Sequence, residues 1–292
     1  MFLKKIDVAS GGRVAATTLA MWALSAGVAF AQAPDKWAGR PRPWEMDMQP
    51  PASPVMVSIE DFHRLLLYII TAVCLFVLGL LLWVMIRYNA RSNPVPSKTS
   101  HNTLLEVVWT AVPVLILVLI AIPSFRLLYY EMDIPKPDVT IMAIGKQWYW
   151  TYKYPGQKVQ FDSLMLDRAE AAKAGEPYLL GVDHPVVVPV NKVIQIETTG
   201  ADVIHSWAVP SFGVKMDAVP GRINHTWFEA THVGTYYGEC SELCGARHAF
   251  MPIEVKVVTE QQYRQWLAKA AKAYAYNATS GGATRLAALD NQ

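Results

Sequence analysis

A run of 22 residues without a charged side chain, Leu65 to Ile86, constrains this 292-residue chain more than any other feature. At about 1.5 Å per residue, a helix of that length crosses a hydrocarbon core of about 30 Å. Inside lipid the backbone must pair with itself, so such a run is a membrane helix unless it belongs to a closed barrel. A second apolar run, Val107 to Phe125, follows; it contains Pro113 and Pro123, which membrane helices tolerate. The short loop between the runs carries Arg87, Arg91 and Lys98, and positive-inside counting puts it in the cytoplasm. Cys74 lies in mid-span, where a thiol acts as a small hydrophobe.

The N-terminus gives the same orientation independently. Residues 1–31 carry Lys4, Lys5 and Arg13, then an apolar run from Val14, then Ala29-Phe30-Ala31 as an A-x-A cleavage pattern. That is the pattern of a removable signal peptide, whose cleavage would leave Gln32 first in the mature chain, with a retained signal anchor as the alternative. Residues 32–60 include Pro34, Pro41, Pro43, Pro50, Pro51 and Pro54, which argue for an extended, exported arm. Residues 61–130 are then a two-helix transmembrane hairpin with both ends outside. The spans account for the 52% hydrophobic content and the positive mean hydropathy of +0.19.

Beyond Asp138 the texture changes to short β-rich runs: Val139–Ile144, Trp148–Tyr154, Val159–Met165, Val186–Val190, Val193–Thr198, Thr226–Thr231, Thr235–Tyr237 and Ile253–Val258. Runs at this spacing, punctuated by Gly, Pro and Asp, predict an all-β sandwich or barrel over residues 131–258. The net charge of +2 divides unevenly, because this outer part holds 15 acidic against 11 basic side chains, a balance of −4. No nucleic-acid partner is expected. Thr259 and Gln262 form a capping box that opens a C-terminal helix, and residues 259–292 are that helix and a polar tail. The sequon at Asn277 is discounted there as a chance match.

Between the last two β runs, Gly238 to Met251 reads G-E-C-S-E-L-C-G-A-R-H-A-F-M. Cys240, Cys244, His248 and Met251 offer two thiolates, an imidazole and a thioether, the soft donors that copper selects. Two other readings fit the cysteines: a small-loop disulfide, favoured in exported domains, and a tetrahedral zinc site, against which Met251 weighs. More than one metal ion would require a further ligand, and His184, His205, His225 and His232 are the candidates. Glu106, at the cytoplasmic mouth of the second span, reads from residue type alone as an interfacial charge.

Five motifs in order resemble subunit II of the haem-copper cytochrome c oxidases, in its two-helix bacterial and mitochondrial form. They are E-V-V-W-T-A-V-P at Glu106–Pro113, G-K-Q-W-Y-W-T-Y-K-Y at Gly145–Tyr154, A-D-V-I-H-S-W at Ala201–Trp207, D-A-V-P-G-R at Asp217–Arg222 and C-S-E-L-C-G-A-R-H-A-F-M at Cys240–Met251. The resemblance implies an N-terminal transmembrane α-hairpin followed by an all-β cupredoxin-like barrel holding two copper ions as a CuA centre. Cys240 and Cys244 would bridge the coppers, His205 and His248 would each cap one, and Met251 and the Glu242 carbonyl would be axial ligands. The Glu242 carboxylate would reach a magnesium ion shared with subunit I.

The same resemblance implies that Trp148 receives electrons from cytochrome c, that Asp162 and Asp202 help dock it, and that Glu106 opens a proton path into subunit I. The implied activity is that of a proton-translocating oxidoreductase, in which this subunit passes electrons to a haem in subunit I for oxygen reduction. The chain would sit in the bacterial inner membrane with its arm and C-terminal domain on the periplasmic side. Lys153 departs from the family pattern, which commonly has an acid there and so a stronger hold on a basic donor. A copper-chaperone-like or zinc-stabilised module on a membrane anchor is the alternative from another class. A quinol oxidase subunit II, which lacks the ligands, and nitrous oxide reductase, which needs a further cluster domain, fit less well.

Overall fold

The computed structural model describes residues 39–275. The signal peptide expected at 1–31, the start of the arm and the tail with Asn277 lie outside the described residues.

Two long helices come first, α1 over Pro54–Arg87 and α2 over Thr103–Met132, and both are long and apolar enough to cross a membrane. Helix α1 begins inside the segment expected to be an extended arm. The physical reason is position: Pro54 occupies the first turn, where its missing N–H costs no hydrogen bond, and Ser53 caps the helix by accepting from the Met56 N–H. The Ser53 hydroxyl also donates to the Phe212 carbonyl at 2.7 Å, so the cap binds the helix to the β domain. Helix α2 carries Pro113 and Pro123 inside its length, as the second run predicts, and extends well past both limits of that run. At its far end Tyr130 meets Trp227 edge to face, with ring centroids 5.6 Å apart.

The β domain is two five-stranded sheets. Strands β1 (Val139–Lys146), β2 (Tyr149–Tyr154), β3 (Val159–Ser163), β5 (Val193–Gly200) and β8 (Asn224–Glu229) form one, in the order β3-β2-β1-β5-β8. Strands β4 (Val186–Pro189), β6 (His205–Val209), β7 (Val214–Ala218), β9 (Gly234–Cys240) and β10 (Pro252–Val258) form the other, in the order β4-β10-β9-β6-β7. Pairs β1/β5 and β10/β4 are parallel and the remaining pairs antiparallel. Along β1 and β5 buried residues alternate with partly exposed ones, which sends Ile141, Ala143, Ile194 and Ile196 into the space between the sheets. Aromatic side chains fill the rest: Phe212 stacks on Phe228 at 4.3 Å, and the buried Trp207 donates its indole N–H to the Tyr152 hydroxyl. Each such ring buried stabilises the fold by about 1.5–3 kcal/mol.

The architecture is the one read from the sequence, a membrane hairpin followed by an all-β cupredoxin-like domain, and three elements add to it. Strands β6 (HSWAV) and β7 (VKMDA) were not legible as strands, because each holds a single β-branched residue, Val209 or Val214, where the run that became β4 is nearly all Val. A short helix, α3 (Arg168–Ala174), interrupts the passage from β3 to β4 with its own capping box, Asp167 and Glu170. After β10, the box at Thr259 and Gln262 opens α4 (Glu260–Ala273), as the sequence predicts.

Candidate metal centre

Strand β9 ends on Cys240 and β10 begins on Pro252, and the loop between them carries the remaining soft donors of the sequence motif. Cys240 and Cys244 are both buried, and their sulfurs lie 3.8 Å apart as free thiols. Next to this pair, the His205 Nδ1 is 3.9 Å from Cys240 Sγ and the His248 Nδ1 is 3.6 Å from Cys244 Sγ. Met251 Sδ lies 3.6 Å from Cys244 Sγ, and the Glu242 carbonyl oxygen 3.4 Å from Cys240 Sγ. His248 sits in a single 3-10 turn, His248–Phe250, that swings the chain from the loop into β10.

Charge is arranged to ease deprotonation of one thiol. Burial pushes the Cys240 thiol up, but hydrogen bonding with His205 and the Ser206 backbone outweighs it, and the net direction is down. Burial and the adjacent Cys240 push Cys244 the other way. Two thiolates this close repel, so a bound cation would be needed to hold both ionised.

Of the four outer histidines, the structure brings only His205 to this cluster. His184 lies against Tyr274 and Phe161, with its Nδ1 3.1 Å from the Asp162 carbonyl. His225 meets the Gln195 amide and His232 meets the Thr231 hydroxyl.

His205 is positioned from three sides. Gly145 in β1 lies flat on its ring, so closely that a Cβ there would fall 2.7 Å from ring carbons, and Trp150 meets it at a steep angle with centroids 6.0 Å apart. Asp202 supplies the third side, its Oδ1 being 2.9 Å from His205 Nε2. Burial raises the Asp202 carboxyl, but hydrogen bonds from His205, Val203 N–H and Gln147 N–H hold it below the usual carboxylate range. The ionised carboxylate accepts only, so Nε2 carries a proton, and Nδ1, on the side of the sulfurs, is the nitrogen that would bind a metal.

Trp148 lies at the β1–β2 turn, partly exposed, and its indole N–H donates to the Cys244 carbonyl at 3.2 Å. Gly245, at φ 121°, gives it room, since a Cβ at that position would come within 3.0 Å of the indole. Gln147 adds a second tether, with its side-chain amide donating to the Cys244 carbonyl and its backbone N–H to Asp202 Oδ2. Trp150 and Tyr152 are buried in the core, and Trp150 donates to the Met251 carbonyl.

Other sequence candidates lie apart from the cluster. Asp162 is exposed on β3, and its carboxylate accepts from the Thr151 hydroxyl. Glu106 is in the first turn of α2, at the opposite end of that helix from the β domain, about 39 Å along the helix from Met132. It lines an open groove with Thr103, Val107, Thr110 and Val114. The sequence reading missed Gln147, Gly145 and Gly245. All three stand inside or beside motifs it quoted, but a glycine's close approach and a backbone amide's partner are properties of the folded chain.

The fold and the cluster define a class: a membrane-anchored β-sandwich with a buried group of soft donors at one end. Known families narrow it. Residues 139–258 match the family described as cytochrome C oxidase subunit II, periplasmic domain, and residues 41–127 match its transmembrane domain. A probable cytochrome c oxidase subunit 2 of Rickettsia bellii (strain RML369-C) is 50% identical over 86% of this chain and 92% of its own. Cytochrome c oxidase subunit 2 of Cereibacter sphaeroides is 44% identical over 80% of this chain and 82% of its own. Among solved structures, the periplasmic domain of subunit II of the Bradyrhizobium japonicum cytochrome oxidase is 54% identical, covering 49% of this chain and all of that one at a TM-score of 0.46. The chain belongs to the cytochrome c oxidase subunit II family, and it is a membrane-protein subunit of that enzyme.

Proposed function

We propose that the chain is the electron-receiving subunit of its oxidase, with Cys240, Cys244, His205, His248, Met251 and the Glu242 carbonyl holding two copper ions as a CuA centre. One observation carries this reading: two free thiols 3.8 Å apart, buried, with two imidazoles and a thioether around them. The donor set suits copper, because carboxylate-seeking cations have little to bind here and a thioether is a poor zinc ligand. Bound copper would supply one-electron chemistry with the charge change spread over two ions and their shared sulfurs.

The chain's own residues do the rest. The strands flanking the loop hold the donors so that little moves when charge changes, and the buried aromatic shell keeps water away. Trp148, tethered to the Cys244 carbonyl and partly exposed, is the proposed point of electron arrival from a cytochrome c. Asp162 and Asp202, on an outer domain with net charge −4, would draw in a basic donor. Electrons would pass on to a haem in subunit I for oxygen reduction coupled to proton pumping. The Glu242 carboxylate, which has no hydrogen bond or ion pair among the described residues, is the proposed ligand to a magnesium ion shared with subunit I. The β domain would face the periplasm of a bacterial inner membrane, the side named in the matching family description.

Trp148→Ala tests electron arrival. In the assembled oxidase, rapid mixing with reduced cytochrome c should show a steep loss of electron-transfer rate with little change in apparent affinity. A loss of affinity alone would contradict the assignment.

A further inference from the structure

We infer that Asp202 is a positioning residue of the metal centre, which holds the His205 ring in its ligating orientation and, through Gln147, couples that ring to the turn bearing Trp148. The inference rests on the copper reading above and deepens it, because sequence resemblance alone makes Asp202 a docking carboxylate.

Three hydrogen bonds fix this carboxylate. Oδ1 takes the His205 Nε2–H at 2.9 Å and the Val203 N–H at 2.7 Å, while Oδ2 takes the Gln147 N–H at 2.7 Å. The side chain is 34% exposed and His205 is wholly buried, so the contact reaches from the surface to the cluster. A ligand imidazole that donates its second N–H to a carboxylate is locked in one tautomer and one orientation, and is a stronger donor for it. Here the locked tautomer points Nδ1 at Cys240 Sγ. Among the described residues, no other polar group meets His205 Nε2.

Oδ2 makes the contact more than local. Gln147 is held by Asp202 through its backbone and by the Cys244 carbonyl through its side chain, and Trp148 donates to that same carbonyl. One carboxylate thus ties a ligand on β6 to the turn that presents the proposed electron-accepting ring. Removing it should disturb the metal site and the Trp148 turn together, whereas removing a docking charge should disturb neither.

The test compares Asp202→Ala and Asp202→Asn in the full, assembled oxidase with the unaltered enzyme. A distant carboxylate change is the control: Glu229→Gln, paired with Val193 at the far end of β5. Copper retention under chelator competition is measured, with the paramagnetic resonance spectrum of the site and apparent affinity for cytochrome c against ionic strength. We expect Asp202→Ala to lower copper affinity about 10- to 100-fold. Asp202→Asn preserves shape but turns an N–H toward Gln147; it should keep its copper with altered histidine couplings in the spectrum and a raised midpoint potential. Glu229→Gln should match the unaltered enzyme. If both Asp202 variants keep normal copper affinity, spectrum and potential and change only the affinity for cytochrome c, Asp202 is a docking charge and the inference is overturned. Absence of a two-copper spectrum in the unaltered enzyme would instead overturn the copper reading beneath it.

Discussion

Cys240 and Cys244 differ in environment although both are buried, and that difference shows what each donor contributes. Cys240 is the last residue of β9 and faces His205, while Cys244 sits in the loop and touches both His248 and Met251. Each thiolate is proposed to serve both metal ions, so Cys240→Ser or Cys244→Ser should leave at most one copper per chain by metal analysis. Met251→Leu should be milder, shifting the midpoint potential while both coppers remain, because a weak axial thioether tunes a site more than it holds the metal. Two coppers retained after either cysteine change would mean that the thiolates do not bridge. At this scale much of the site was legible, because soft donors packed into twelve residues declare their chemistry without a fold. What could not be read was orientation. That Asp202 faces His205 depends on how the chain bends just before β6, and that Gly145 lies on the ring depends on β1 and β6 approaching from different sheets.

The elements that hold the loop have a polar clamp of their own. Between β3 and β4 the chain leaves the sheets, forms α3 and returns across β9 and β10, where Glu176 accepts from the Tyr237 hydroxyl and the Lys256 ammonium. Lys256 also pairs with the buried Glu254 at 3.1 Å, and Glu254 accepts from the Val182 N–H. Burial raises the Glu254 carboxyl, with the Val182 N–H and Lys256 opposing; burial lowers the Lys256 ammonium, but the two carboxylates outweigh it and raise it. A lysine raised in the folded state contributes stability that is lost only as pH rises through its folded value. A carboxyl raised in the folded state costs stability as pH rises from its unfolded to its folded value.

Lys256→Met removes the first effect and enlarges the second. We expect a loss of about 2–3 kcal/mol at neutral pH. Calorimetry should also show stability falling more steeply than in the unaltered chain as pH rises above the ordinary carboxylate range. An unchanged slope would mean that Lys256 does not compensate Glu254. Legibility at this scale was uneven. Strands rich in β-branched residues were read, including the fully buried β4; β6, with Val209 as its one β-branched residue, was not, and the arm's prolines hid a helix start that uses Pro54 in its first turn.

Across the whole molecule, the two proposed functional ends are separated by the length of α2. Glu106 lies in the first turn of α2 and the soft-donor cluster in the β domain that follows its last, so changes at one should be silent at the other. We therefore expect Glu106→Ala to slow oxygen-reducing turnover of the assembled oxidase while copper content and cytochrome c affinity stay unchanged. Normal turnover would leave Glu106 as an interfacial anchor. The largely exposed apolar faces of α1 and α2 await lipid and the other oxidase subunits, and a single sequence names neither contact.

The central claim is that Cys240, Cys244, His205, His248 and Met251 hold two coppers sharing one electron, and it is met most directly by the paramagnetic resonance spectrum of the oxidised, assembled oxidase. We expect hyperfine structure from one unpaired electron spread equally over two copper nuclei, abolished by Cys240→Ser. Hyperfine structure from a single copper nucleus, or no signal from this subunit in a copper-replete enzyme, would contradict it.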